Sequence, residues 1–174
     1  MIKIITRLFI ICFVGLLFVS QAHSQEEKYI TLYIYNFTKH IEWPDEYKGD
    51  DFVIDVLGHT SVYEKLEVML KSKSKEGQNF IVNHPSNVEE IDPNCNILFV
   101  GHWKSNLMES ALKKVGDHGT LIVTEKGGML DKGSDINLVI RNEKIMYEVK
   151  KSSLQARGLS FSLDLTSLAQ RVVD

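Results

Sequence analysis

Between residues 26 and 43, apolar side chains return every three or four positions, at Ile30, Tyr33, Ile34, Phe37 and Ile41. That spacing predicts an amphipathic helix over Glu26–Trp43. Pro44 stops it, because proline disfavours helical geometry in the residue before it. A different pattern follows. Phe52–Leu57 is a short apolar run closed by Gly58, as in a buried strand. Thr60–Lys71 regains the helical period through Val62, Leu66, Met69 and Leu70, with Thr60 or Ser61 as N-cap. Phe80–Val82 reads as a brief strand ended by Asn83-His84-Pro85, and the polar stretch Asn87–Asn94 reads as a turn or one helical turn.

The second half repeats the alternation. Asn96–Val100 is a strongly apolar strand closed by Gly101. Ser105–Val115 is helical in period, with Gly116 as C-cap. Leu121–Val123 is a further buried strand. Glu125–Asp135 holds Gly127, Gly128 and Gly133 among charges, and reads as a mobile, partner-facing loop. Ile136–Arg141 and Lys144–Val149 are strands separated by Asn142-Glu143, a hairpin spacing. Ser152–Gly158 and Ser160–Val173 read as closing helices, the last with an apolar stripe of Phe161, Leu165, Leu168, Ala169 and Val172. Strand and helix in alternation predict an α/β fold. Its central sheet is mostly parallel and flanked by helices, with an antiparallel hairpin at one edge.

The first residues stand apart. Lys3 and Arg7 precede Leu8–Val19, a run of 12 uncharged and mostly apolar residues, and Ala22-His23-Ser24 offers small residues at alternating positions. A basic start, a short apolar run and a small-residue exit form a secretory signal peptide over residues 1–24. An uncleaved anchor is the alternative, although a span needs about 20 apolar residues. The expected mature chain is a single domain over 25–174, exported from the cytoplasm. Without Lys3 and Arg7 it holds 18 basic against 23 acidic residues, so it lacks the basic stripe that nucleic-acid binding requires. Cys95 is then the sole cysteine. It reads as a small buried hydrophobe, or as a redox-sensitive or intermolecular thiol in an oxidising compartment.

Candidate chemistry centres on two similar strand exits. Val56-Leu57-Gly58-His59 and Phe99-Val100-Gly101-His102-Trp103 each place Gly-His after an apolar strand and ahead of a helix. In open α/β sheets ligands settle outside the carboxyl ends of the strands, where strand order reverses. If the two strands are neighbours, His59, His102, Trp103, Thr124 and Glu125 share that crevice. Helix N-termini there would favour an anion, and a small anionic or aromatic ligand is expected at this site. A two-histidine metal site lacks a clear third ligand. The plainer reading is that glycine serves each turn and histidine lies at the surface. His40, His84 and His118 are scattered, without metal spacing. The sequence carries no Gly-x-Ser-x-Gly elbow and no phosphate-loop pattern, so a non-enzymatic module without a cofactor is expected.

Tyr33-Ile34-Tyr35-Asn36-Phe37-Thr38-Lys39-His40-Ile41-Glu42-Trp43-Pro44 closely resembles the opening signature of the YfiR/HmsC family of periplasmic proteins. Phe52–Gly58, Cys95–Gly101, Ile136–Ile140 with its hairpin, and Ala156–Ala169 resemble later family blocks in order and spacing. Asp135 and Asp164 depart from the family pattern, which favours an apolar and a basic residue there, and some relatives carry more cysteines. The resemblance implies a regulator that restrains an inner-membrane diguanylate cyclase or sensor kinase through its extracytoplasmic domain, linked to cyclic-di-GMP and biofilm signalling. No catalytic residues come with it. The candidate partner surface is Tyr35, Asn36, Lys39, Glu42, Trp43 and Pro44. The competing reading of Trp43 is packing of the helix end onto the core. Partner binding or self-association is expected through the first and final helices, self-association as a two-fold dimer. A soluble ligand-binding protein that uses the strand-end crevice is the rival reading.

Overall fold

The structure, a computed structural model, describes residues 25–47, 51–117, 119–142 and 144–174. Residues 1–24, where a leader is expected, His118, and Glu143 of the expected hairpin turn lie outside the described residues. Helix α1 occupies residues 25–40. The helix stops there rather than at Trp43, because Ile41–Glu42 (β1) pairs antiparallel with Ser160–Phe161 (β9), and the Ser162 N–H donates to the His40 carbonyl at 2.9 Å.

The main sheet uses β2 (Asp51–Leu57), β3 (Ser74–Lys75), β4 (Gln78–Asn83), β5 (Ile97–Val100), β6 (Leu121–Thr124), β7 (Ile136–Arg141), β8 (Lys144–Lys150) and β10 (Arg171–Val173). Its order is β10-β8-β7-β6-β5-β2-β4-β3. The pairs β3–β4 and β7–β8 are antiparallel; every other pair is parallel. The expected hairpin is present, but β10 lies outside it and forms that edge.

Alternation along the strands assigns each layer. Phe52, Ile54, Val56, Ile97, Phe99, Leu121, Val123, Ile136 and Leu138 face α1, α2 (Thr60–Leu70), α4 (Lys151–Ala156) and α5 (Leu163–Ser167). Leu57, Leu98, Val100 and Ile122 face α3 (Met108–Val115) and the segment carrying Ile91 and Cys95. Burial of this apolar surface on both faces of the sheet is the main driving force for the fold.

Several expected elements take another form. The final helix over Ser160–Val173 is instead β9, the short α5 and β10. The Ser162 hydroxyl caps α5 by accepting the Leu165 N–H at 3.4 Å, and the Gln170 N–H donates to the Tyr147 carbonyl, which starts β10 along β8. Leu165 is buried, whereas Leu168 is 69% exposed. The helix expected from Ser105 is α3 preceded by a 3-10 helix over His102–Leu107. His59, whose side chain makes no capping hydrogen bond, takes the N-cap place of α2 that Thr60 or Ser61 was expected to fill. The glycine-bearing loop is anchored rather than free, since Met129, Leu130, Ser134 and Asp135 in it are all buried.

Asp135 explains that anchoring. Its carboxylate has no exposed surface. It accepts the Ile122 N–H at 2.7 Å, the Ser153 hydroxyl, and the Arg157 guanidinium at 3.1 Å. Burial pushes its carboxyl up, against the opposing pull of Arg157, Ser153 and the Ile122 amide. Removing one partner of a buried ion pair costs about 3–5 kcal/mol, because the other charge is left stranded. Arg157→Met should therefore lower stability by an amount of that order in urea unfolding, and Asp135→Asn/Arg157→Met should recover much of the loss, because the amide oxygen can still accept the Ile122 N–H without a charge.

Candidate functional site

Strand order reverses between β2 and β5. The chain runs from β2 to β4 on one side, then returns across the sheet through residues 84–96 to lay β5 on the other side of β2. The carboxyl ends of β2, β5 and β6 are thus adjacent, and each releases one chemical group. His59 follows β2, His102 follows β5, and Glu125 follows β6. The Glu125 carboxylate accepts the His102 backbone N–H at 2.7 Å, and its other oxygen lies 3.7 Å from His59 Nε2. The Glu125 side chain is only 11% exposed. Burial pushes its carboxyl up, against the His102 N–H and the neighbouring histidines that favour the charge.

The turns that deliver these groups depend on glycine. Gly58 has φ +80°, and the stem of Lys104 crosses it so closely that a Cβ would sit 2.0 Å from Lys104 Cγ. A Cβ on Gly101 would meet the Gly58 carbonyl oxygen at 2.9 Å. The two Gly-His turns are packed against each other, and Lys104 fills the space above them before its ammonium donates to the Ser86 carbonyl at 3.2 Å. Trp103 forms an exposed lip, 84% accessible, edge-on to the His102 ring at 5.3 Å.

Thr124 is not in this crevice. As a strand residue it alternates to the α3 side, where its hydroxyl bonds Ser134 Oγ at 2.9 Å and Asn137 Oδ1 at 2.7 Å. One group that the sequence pattern could not place does join the rim. Glu27, from the first turn of α1, bonds Lys65 Nζ at 2.6 Å and the Ser61 hydroxyl beside the start of α2. Burial opposes the ionisation of Glu27, but Lys65 and Ser61 outweigh it and hold its carboxyl below the usual range. The first turn of α2 thus already has a carboxylate neighbour. The crevice presents carboxylates and imidazoles, which suit a hydrogen-bond donor or amine better than an anion. Among the described residues no group of three His, Cys, Asp or Glu is arranged to hold a metal ion.

The signature positions near the end of α1 divide between core and surface. Trp43 is only 3% exposed and meets Phe52 edge-on at 4.9 Å, so it packs the core and is no part of a partner surface. Asn36, Lys39 and Glu42 are exposed, while Tyr35 and Pro44 are half-buried. Glu42, Trp43, Pro44, Lys75 and Ser160 line a cavity of about 500 Å³ at the amino end of the sheet, opposite the histidine crevice. His40 bonds Ser162 Oγ at 3.1 Å, and His84 stacks on Tyr63 at 5.0 Å. Cys95 is buried, its thiol pushed well up by burial, which argues against a reactive thiolate.

A family model described as YfiR/HmsC-like matches residues 27–170. No curated protein matches the chain. A conserved domain protein from Vibrio cholerae O1 biovar El Tor resembles it at 10% identity and TM-score 0.50, over 70% of this chain and 54% of that one. The ABC domain in complex with L-Trp from Streptococcus pneumoniae does so at 11% identity and TM-score 0.50, over 70% and 55%. The chain spans about half the length of these structures, and the likeness is one of fold.

Glu125 also makes stability depend on pH. Its folded pKa lies above its unfolded value, so the unfolded chain releases that proton first. The contribution is most favourable below the ordinary value of 4.5 and declines as pH rises toward the folded pKa. Glu125→Gln should flatten this decline. The check is a series of melting temperatures from mildly acidic to neutral pH, in which an unchanged slope would contradict the assignment.

Proposed function

The chain belongs to the YfiR/HmsC-like family, and from that premise we propose that it is a periplasmic regulator that restrains an inner-membrane signalling protein of the diguanylate cyclase or sensor kinase type. The observation that carries this reading is the family match, which spans nearly all of the chain that follows the leader. Two features support it. The basic and apolar leader directs the chain to the compartment where such a partner exposes its sensor domain. The exposed residues Asn36 and Lys39 lie on a helix whose inner face is locked into the core by Ile30, Ile34 and Phe37.

The mechanism is occupancy. The domain binds one conformation of its partner more tightly than the other, and only that difference in affinity can shift the partner's equilibrium. A change of twofold to a hundredfold in cyclase output needs a coupling of up to about 3 kcal/mol, within the reach of a modest interface.

A second reading is favoured by the convergence of His59, His102 and Glu125 at the switch point: a periplasmic protein that binds a small ligand there. The relative solved with L-Trp makes free amino acids a sensible first probe.

One experiment separates the two. Deleting the gene in its native host should raise cyclic-di-GMP and surface attachment several-fold, and supplying the exported chain should reverse this. Unchanged cyclic-di-GMP in the deletion strain would overturn the cyclase form of the leading reading, and unchanged kinase phosphorylation as well would overturn it altogether. If the melting temperature of purified protein then rose with free amino acids, and His59→Ala/His102→Ala abolished that rise, the second reading would stand.

A further inference from the structure

The sheet has one edge that is unpaired along most of its length and is framed by two lysines, although Lys75 at its turn is paired with Glu76 at 3.6 Å. Strand β4 pairs through residues 79–83 with β2 on its inner side. On its outer side β3 covers only Gln78 and Asn79. The outward main-chain groups of Phe80–Asn83 have no main-chain partner among the described residues. Ile81 is 40% exposed, and Phe80 packs edge-on against Tyr35 of α1 at 6.5 Å.

Lysines frame this edge. Lys39 Nζ lies 4.1 Å and Lys73 Nζ 5.2 Å from the centre of the same Tyr35 ring. Neither ammonium has a carboxylate partner among the described residues, and Lys71 beside them is exposed. Two cations gathered at one aromatic ring repel each other, and an approaching carboxylate would relieve that repulsion. The opposite edge differs. On β10, Arg171 is paired with Glu148 at 3.1 Å, and Lys151 with Asp174 at 3.6 Å, so its charges are already matched.

Lysines on an edge strand discourage pairing with a second copy of the same edge. The same charges favour a strand of opposite sign, which is how one device gives both rejection and selection. We propose that the open edge of β4, framed by Lys39 and Lys73 on the Tyr35 ring, takes up an extended acidic segment of a partner protein as an added strand. Main-chain hydrogen bonds to Phe80–Asn83 supply affinity, and the lysines supply specificity. This rests on the regulator reading above and names the surface it uses. Of the signature positions, it assigns Tyr35 and Lys39 to the interface.

The probe is a synthetic peptide of about eight residues that alternates glutamate and valine, long enough for one strand. Its counterpart carries lysine for glutamate. Anisotropy should show the acidic peptide binding in preference, more weakly as salt rises, and amide exchange should slow at Phe80–Asn83. K39E/K73E should weaken binding by about tenfold or more with an unchanged melting temperature. Equal binding of the two peptides, protection at Arg171–Val173 instead, or binding to phosphatidylglycerol vesicles but to neither peptide would each overturn the proposal. In the deletion strain, K39E/K73E should fail to lower cyclic-di-GMP, and full restoration by that variant would also overturn it. If the deletion itself has no effect, the signalling reading falls, and the peptide measurement still decides the edge.

Discussion

A carboxylate shut away from water must find its donors inside the protein, and this fold is organised around two such groups. Asp135 gathers the Ile122 amide, Ser153 and Arg157, so that one side chain joins β6 to α4 at the start of β7. Asp55, on β2, accepts Asn83 Nδ2 at 2.9 Å and the Asp92 N–H at 2.7 Å. Burial raises the carboxyl of Asp55 too, against the bonds from Asn83 and Asp92. The return from β4 to β5 has no helix to hold it. Asp55 holds both the end of β4 and the middle of that return, with the apolar anchors Ile91 and Cys95 beneath. The crossing that reverses strand order, and with it the crevice, is therefore secured by polar bonds that only a buried acid could make this specific.

The strands that build the crevice were legible in the sequence because they are buried on both faces. Ile97–Val100 and Leu121–Val123 are continuous apolar runs, Phe52–Leu57 is one broken only by Asp55, and Gly58 and Gly101 mark the ends of the two strands that exit at histidine. The repeated Gly-His exits pointed to a shared place, and adjacency of β2 and β5 supplies it. Two kinds of information were not legible. Thr124 was misplaced because the exit of a strand does not reveal to which face its last side chain turns. Glu27 was missed because only tertiary packing brings the first turn of α1 to Ser61. The C-terminal segment illustrates a further limit. Phe161, Leu165, Leu168, Ala169 and Val172 have helical spacing, yet an open strand edge on β8 recruits Arg171–Val173 into the sheet. Tertiary pairing overrides a local period of that length.

Helix α1 links the ends of the molecule. Its first turn is held at the crevice by the bonds of Glu27 to Ser61 and Lys65. Its last turn is held at the other end, where Lys75 Nζ donates to the Thr38 carbonyl at 2.8 Å. A helix of residues 25–40 spans about 24 Å. One rigid rod thus touches both the histidine crevice and the lysine-framed edge. Its inner aromatic face, with Tyr33 and Phe37 against Tyr147 at 5.4 and 5.3 Å, fixes its rotation. The Tyr147 hydroxyl, raised to about 12 by burial, stays protonated and donates to the Leu165 carbonyl at 2.6 Å, so the same aromatic cluster also seats the chain's end.

The two tryptophans occupy opposite environments: Trp43 is enclosed against Phe52, and Trp103 stands in solvent at the mouth of the crevice. The protein consequently carries a pair of native fluorophores with separate loyalties. Blue-shifted emission sheltered from acrylamide belongs to the interior, while red-shifted, readily quenched emission belongs to the lip, so occupancy of the crevice and loosening of the core can be followed apart without any attached dye.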